Sequence, residues 1–304
     1  MDPDIAARIQ ALAEDHTRGA TALTREAAEI FAVLADVSRA PGPTQFLADL
    51  AEAGRVIMAA QPAMASLFTL ANTVLHTVDA SPVQGRRRLA EATARAFAAV
   101  LTERPRQLAE AALTHLPPNA EVVTHSASAG VEAALVHAHA NGRLAHVVCA
   151  EARPLNEGVG LAGRLAAQGI RVTLVVDAVA PGLLAPGMVV LVGADTVSPL
   201  GVVNKAGTYP LALAARAVGA PVVVLAGSEK RLPGSLAERE SLVGEARDAA
   251  ELLADAPTGV TVLNRAFDLT PLDAVTYVIS EDGAQMPADV LAACAAIDVH
   301  PLLR

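Results

Sequence analysis

The second half of the chain alternates short apolar runs with helical stretches, and few architectures accommodate that rhythm. The runs span 121–124, 146–150, 172–176, 188–192, 221–226 and 275–280. Helical patterns fit between them near 128–141, 157–168 and 209–218. Strand, helix and strand in succession argue for an α/β chain with a mostly parallel sheet. The rhythm begins at Pro117-Pro118-Asn119 and is broken at Ser235 to Asp255, a charged stretch read as a helical excursion. The residues before it read differently. Ile5, Ile9 and Leu12 recur at helical spacing, as do Ala27, Ile30, Phe31 and Leu34. Further helices are expected over 45–60, from Pro62 to Leu75, and from Ser81-Pro82 to about Leu101. The division is therefore a helical domain over 1–116 and an α/β domain over 117–304.

Met188 to Val192 has the composition of a strand buried on both faces. It stops at Gly193-Ala194-Asp195, which sets a carboxylate at a strand end, where open α/β sheets bind ligands. Ser198-Pro199-Leu200-Gly201 reads as a turn. Asn204-Lys205-Ala206-Gly207-Thr208 then leads into a helix, with Thr208 as N-cap and Pro210 in the first turn. A carboxylate, an amide, a cation and a helix N-terminus together suit a phosphorylated, hydroxylated small molecule. Thr124-His125-Ser126-Ala127-Ser128, between a strand and a helix, offers further hydroxyl and backbone donors.

Other chemistries fit less well. Ser126 lacks a Gly-x-Ser-x-Gly elbow, against a serine hydrolase. Gly158-Val159-Gly160-Leu161-Ala162-Gly163, followed by Asp177, spells a dinucleotide fingerprint, but its first glycine lies too far past the strand end near Ala150. No histidine or acidic cluster has metal-ligand spacing, and no cofactor is expected. His137 and His139 do not share a helix face. The net charge of −9 is diffuse and argues against nucleic acid; Arg86-Arg87-Arg88 reads as a solvated helix start. Mean hydropathy is positive, yet the uncharged stretch Ala178 to Ala194 is broken by Pro181, Pro186 and three glycines, so no membrane span is expected. No signal-peptide pattern opens the chain, and a cytoplasmic protein is expected. Two cysteines cannot build a disulfide framework, and Cys149 in an apolar strand reads as a buried thiol.

Several segments taken together resemble one family. They are Arg18-Gly19-Ala20; Gln61-Pro62-Ala63-Met64-Ala65-Ser66-Leu67; Thr124-His125-Ser126; Glu151-Ala152-Arg153-Pro154-Leu155; Gly193-Ala194-Asp195; Asn204-Lys205-Ala206-Gly207-Thr208; and Phe267-Asp268-Leu269-Thr270-Pro271. In this order they resemble the family of the α, β and δ subunits of eukaryotic translation initiation factor 2B. Its enzyme members are methylthioribose-1-phosphate isomerase and ribose-1,5-bisphosphate isomerase. The resemblance implies an N-terminal helical domain, a Rossmann-like C-terminal domain, a sugar-phosphate site between them, and a homodimer formed through the C-terminal domain. It implies Asp195 as a catalytic proton carrier and Arg18, Gly19, Ala20, Asn204 and Lys205 at ligand-binding positions; Gln61, Thr124, Ser128, Arg153 and Glu157 complete the expected ligand-binding set.

The chain departs from the isomerase pattern at four positions. Ser126 stands where the isomerases carry the catalytic cysteine. A thiol ionises near 8.5, whereas a serine hydroxyl needs an adjacent base. Gln61 and Gly160 stand at arginine positions, and Glu157 at a glutamine position. Lost cations and a gained carboxylate should weaken binding of an anion. Val222 to Gly227 resembles the regulatory branch. The expectation is a phosphorylated-sugar or metabolite binder with a partly degenerate isomerase site. A working aldose–ketose isomerase, with Asp195 and Ser126 as catalytic residues, is the first alternative. A protein-interaction subunit related to translation initiation is the second.

Overall fold

The computed structural model describes residues 2–244 and 246–304. Five helices come first: α1 (Pro3–Glu14), α2 (Ala20–Val37), α3 (Pro43–Ala60), α4 (Ala65–Asp79) and α5 (Arg86–Ala112). After them run β1 (Ala120–Thr124), α6 (Ala129–Ala140), β2 (Leu144–Ala150), α7 (Glu157–Ala167), β3 (Val172–Val175) and β4 (Val189–Gly193). The rest comprises β5 (Thr196–Ser198), β6 (Gly201–Lys205), α8 (Thr208–Val218), β7 (Val222–Leu225), α9 (Arg239–Val243), β8 (Phe267–Thr270), β9 (Tyr277–Ser280), β10 (Gly283–Gln285) and α10 (Pro287–Ala295). The helical first half and the mostly parallel sheet of the second are as the sequence predicts.

Seven strands form the main sheet in the order β10-β9-β7-β4-β1-β2-β3. Only the β10–β9 pair is antiparallel. β4 sits at the centre and is buried along its whole length. Its side chains alternate between two cores. Val189 and Leu191 face α6, α7 and the end of α5, while Val190 and Val192 join the core that contains α8 and α10 residues. β7 repeats the pattern with Val223 and Leu225 against Val222 and Val224. This two-sided burial explains why the central strands read as continuous apolar runs.

The helical half packs largely on small side chains. Ala27, Ala28, Ala35, Ala51, Ala53, Ala71, Ala90 and Ala94 are all buried, as a chain with only 2% aromatic residues requires. Its core also takes in Val203, Leu232, Leu269, Val299 and Leu303 from the second half. In turn, Leu108, Ala109 and Ala112 of α5 belong to one core of the sheet. No helix among the described residues is long and apolar enough to cross a membrane.

Several expectations are corrected. α4 starts at Ala65, not Pro62, because residues 61–64 form a turn closed by Met64 N–H to Gln61 O (3.0 Å). α5 starts at Arg86, behind Gly85 in the left-handed region (φ 90°), and runs past Pro105 to Ala112 rather than stopping near Leu101. The excursion at 235–255, of which Glu245 lies outside the described residues, holds only the five-residue α9 and short 3-10 turns. A second, three-stranded antiparallel sheet, β5-β6-β8, escapes the sequence reading. The turn at Ser198 to Gly201 is present and joins β5 to β6 as a hairpin.

Candidate functional site

The strand β4 ends at Gly193, and the chain turns so that Asp195 lies on the wall of a cavity of about 680 Å³ between the helical half and the sheet. Two contacts fix this turn to the helical half. Thr196 Oγ1 donates to Ala63 O (2.8 Å) and accepts from Ala65 N–H (2.9 Å), so it caps α4 from the other half of the chain. Gly193 is there because nothing larger fits. A Cβ at this position would lie 2.6 Å from Ser128 Cβ.

Asp195 is part-buried, and desolvation raises its carboxyl above the ordinary range. Lys230 and Lys205 pull it back down, and Glu157 pushes it further up. Lys230 Nζ donates to Ala194 O beside it. Lys205, on β6, lies 2.9 Å from Glu157 Oε1 and 5.8 Å from the centre of the Phe267 ring. Arg247 stands over the same ring, also at 5.8 Å. Ser126, in the left-handed region (φ 69°), donates its hydroxyl to Glu157 Oε1 at 2.7 Å. Glu157 is thus shared by a cation and a hydroxyl.

At the other end of the cavity wall, residues 15–19 lead into α2. Gly19 is the N-cap and supplies no side-chain bond, while Ala22 and Leu23 N–H bond Gly19 O. The N–H groups of Ala20 and Thr21 have no protein partner among the described residues. Such a terminus suits an anion. Arg18 and Arg25 flank it. Arg18 Nε bonds Asp15 Oδ2 at 2.5 Å. Burial of Asp15 is outweighed by its bonds from Arg18 and Thr17, which hold its carboxyl well below the carboxylate range. Among the described residues, six cationic side chains and four carboxylates line the cavity.

Nine of the expected site residues meet here: Arg18, Gly19, Ala20, Ser126, Ser128, Glu157, Asp195, Asn204 and Lys205. Three do not line it. Gln61 Nε2 donates to the carbonyls of Leu12, Ala13 and Asp15 and so closes the end of α1. Thr124 is buried in β1, and Arg153 is exposed on the loop after β2. Lys230, Arg25 and Arg247 are cavity cations that the sequence reading missed.

The helix start after β6 differs from expectation. Thr208 is not the N-cap of α8: its hydroxyl donates to Lys205 O (2.6 Å) and accepts from Asn204 Nδ2 (3.0 Å). Gly207 holds the cap position at φ 112°, with the His125 ring 2.9 Å from where a Cβ would sit. Asp268 of β8 caps the helix instead, accepting from Gly207 N–H (2.8 Å) and Tyr209 N–H (3.0 Å). Burial nevertheless leaves the Asp268 carboxyl raised.

The glycine fingerprint has a packing reason. A Cβ on Gly158 would lie 1.9 Å from Ala150 O, so α7 touches β2 through that glycine. Asp177 accepts from Ala152 N–H (2.7 Å) and Arg153 N–H (2.8 Å), and its Oδ1 is 3.5 Å from His125 Nδ1. It is occupied in holding the loop after β2. Burial pushes the Cys149 thiol up to about 12, so it is an inert core group.

Residues 16–287 match the model of the initiation factor 2 subunit family. The chain is 33% identical to ribose 1,5-bisphosphate isomerase of Haloferax volcanii over 279 residues, 90% of this chain and 86% of that one. It is 34% identical to methylthioribose-1-phosphate isomerase of Pelotomaculum thermopropionicum over 304 aligned positions, 93% and 82% of the two. Among solved structures, translation initiation factor eIF-2B of Pyrococcus horikoshii superposes with a TM-score of 0.80 at 27% identity, covering 95% of this chain and all of that one.

Proposed function

The chain belongs to the initiation factor 2 subunit family, and from that premise we propose that its cavity binds a phosphorylated aldose and converts it to the ketose. The phosphate would lie on the Ala20 and Thr21 N–H groups with Arg18 and Arg25, where helix dipole and cations act together. The sugar hydroxyls would face Asp195, Asn204 and Lys205. The observation that carries this reading is Asp195. A carboxyl raised by desolvation, set at a strand end beside Lys205 and Lys230, is what a proton carrier working near neutral pH needs. The lining also offsets the departures at 61 and 160. Lys230, Arg25 and Arg247 supply positive charge that those positions lack.

A second reading rests on Ser126. With a hydroxyl at that place, the chain would be a sugar-phosphate binder that has lost the chemistry, as the sequence departures suggest. NMR of the purified chain with ribose 1,5-bisphosphate and, separately, methylthioribose 1-phosphate decides between them. Product peaks that vanish in Asp195→Asn support the isomerase. Ligand line-broadening without product supports the binder. Neither signal with either sugar refutes both.

We also infer that the chain forms a homodimer through its second half. The edge strand β3 and the segment after it leave Leu174, Val176, Val179 and Leu183 exposed together. Light scattering should give twice the 31.0 kDa chain mass, and Leu174→Lys with Val176→Lys should halve it.

A further inference from the structure

Aldose-to-ketose conversion of a sugar 1-phosphate needs two proton transfers, one in each direction. The bond between C1 and the ring oxygen breaks, and the ring oxygen gains a proton. The C2 hydrogen crosses to C1 with its electron pair. The C2 hydroxyl then becomes a carbonyl and gives up its proton. One carboxyl can serve both transfers in turn only if it reaches both oxygens, so a second group on the cavity wall is the direct candidate for the acceptor at O2. A serine hydroxyl accepts a proton only when a base stands behind it.

Ser126 has that base. Its Oγ donates to Glu157 Oε1 at 2.7 Å. Lys205 Nζ lies 2.9 Å from the same oxygen, so this oxygen receives two donors in the resting site. Glu157 Oε2 is buried without a hydrogen-bond partner among the described residues and has lone pairs to spare. Glu157 is also the first residue of α7, where the helix dipole favours a carboxylate. Ser126 is held in place from both sides. Its backbone lies in the left-handed region, and the neighbouring His125 Nε2 donates to Ala206 O at 2.8 Å. Ser126, Glu157 and Asp195 all line one cavity.

We propose that Glu157, working through Ser126 Oγ, is the proton acceptor for the C2 hydroxyl, while Asp195 gives its proton to the ring oxygen. The O2–H bond breaks and its proton passes to Ser126 Oγ as the proton of Ser126 passes to Glu157 Oε1. After product leaves, Glu157 returns its proton to water and Asp195 takes one up, so nothing is consumed. Substrate meets Ser126 and Asp195; Glu157 is a positioning residue that also stores the proton. The relay rests on the isomerase reading above.

The test is kcat and KM against pH for the full chain and for Glu157→Gln, Ser126→Ala and Ser126→Cys/Glu157→Gln, each with ribose 1,5-bisphosphate and methylthioribose 1-phosphate. Glutamine keeps an acceptor oxygen for Ser126 but cannot take the proton. Glu157→Gln and Ser126→Ala should lower kcat by roughly 100- to 10,000-fold with KM little changed. A cysteine at 126 carries its own titrating group, so the double variant should recover part of the rate. Thermal melts of each variant separate misfolding from lost chemistry, and the Ser126 variants stand independently of the Glu157 one. If Asp195→Asn is inactive while Glu157→Gln and Ser126→Ala keep the native rate and pH profile, the relay is wrong and the isomerase reading stands. A change in KM alone also overturns the relay. No turnover by the unaltered chain overturns both.

Discussion

Replacing Arg104 by alanine should cost about 3–5 kcal/mol of stability, the usual consequence of removing one member of a buried ion cluster. Arg104 lies on α5 and is 8% exposed. Its Nη1 is 2.7 Å from Glu281 Oε1 and bonds Gln107 Oε1 at 3.0 Å. Its Nε is 2.9 Å from Glu229 Oε2, close in distance but off the N–H axis, so that contact is an ion pair rather than a hydrogen bond. Glu229 is 5% exposed, so alanine would strand a carboxylate with no route to water. Gly227 shows how tightly the cluster is built: a Cβ there would meet Glu229 Oε2 at 2.2 Å and Arg104 Cδ at 2.7 Å. At roughly 2–4 °C per kcal/mol, the expected fall in Tm is roughly 6–20 °C. The chain has no Trp, so far-UV circular dichroism in urea is the appropriate readout. The pH dependence is part of the prediction. Burial of Glu281 is outweighed by its bonds from Ser228 and the Arg104 charge, which lower its carboxyl. A lowered folded value gives stability that is present above about pH 4.3, the ordinary Glu value, and is lost as pH falls through the folded value. In the variant Glu281 loses the lowering effect of the Arg104 charge and protonates more readily. The gap between native and variant should therefore narrow from pH 7 toward pH 4. A loss below about 1 kcal/mol, the level of an exposed pair, would refute the reasoning. So would a gap that does not change with pH.

Three further outcomes are expected. Asp195→Asn should raise Tm at neutral pH while abolishing turnover. A raised folded value means stability is highest below the ordinary Asp range and falls as pH rises through the folded value, so a neutral amide removes that cost; an unchanged Tm would argue against a desolvated carboxyl. Asp268→Ala should lose about 1 kcal/mol in urea unfolding by uncapping α8, and Asp268→Asn should keep most of it, because the amide oxygen still accepts from Gly207 and Tyr209 N–H. Gly158→Ala should abolish soluble expression or lower Tm sharply, since its Cβ would meet a backbone oxygen that cannot swing away; a native-like melt would mean α7 can slide on β2.

The main sheet was legible because its central strands are buried on both faces and so spell uninterrupted runs such as Val189–Val192 and Val222–Leu225. The small sheet was not. β5 has three residues and β8 four, and β6 pairs with β8 across more than sixty positions, Lys205 opposite Phe267. Such pairing leaves no local period. The site divides in the same way. Asp195 could be named because it follows a legible strand, and Lys205 because it leads into a helix marked by Gly207, Thr208 and Pro210. Lys230 and Arg247 come from irregular segments, and only the folded chain brings them to the cavity. Gln61 does not line the cavity because its side chain bonds three carbonyls at the end of α1, which a linear motif cannot display. Thr208 was taken as the cap because the residue that performs that task lies sixty positions away, in β8.

The 27 residues of α5 make a rod roughly 40 Å long. One end is embedded among the first helices and the other against the sheet, with Arg104 riveted to the ends of β7 and β9. A beam shared by two cores cannot act as a hinge between them. The chain end reinforces this, since Leu303 is sunk among the helices and Arg55 grips Leu302 O at 2.6 Å. Entry of a ligand must then be a matter of shutters rather than jaws. The segments that border the cavity without belonging to either core are residues 15–19 before α2 and residues 246–266, whose Arg247 lines it.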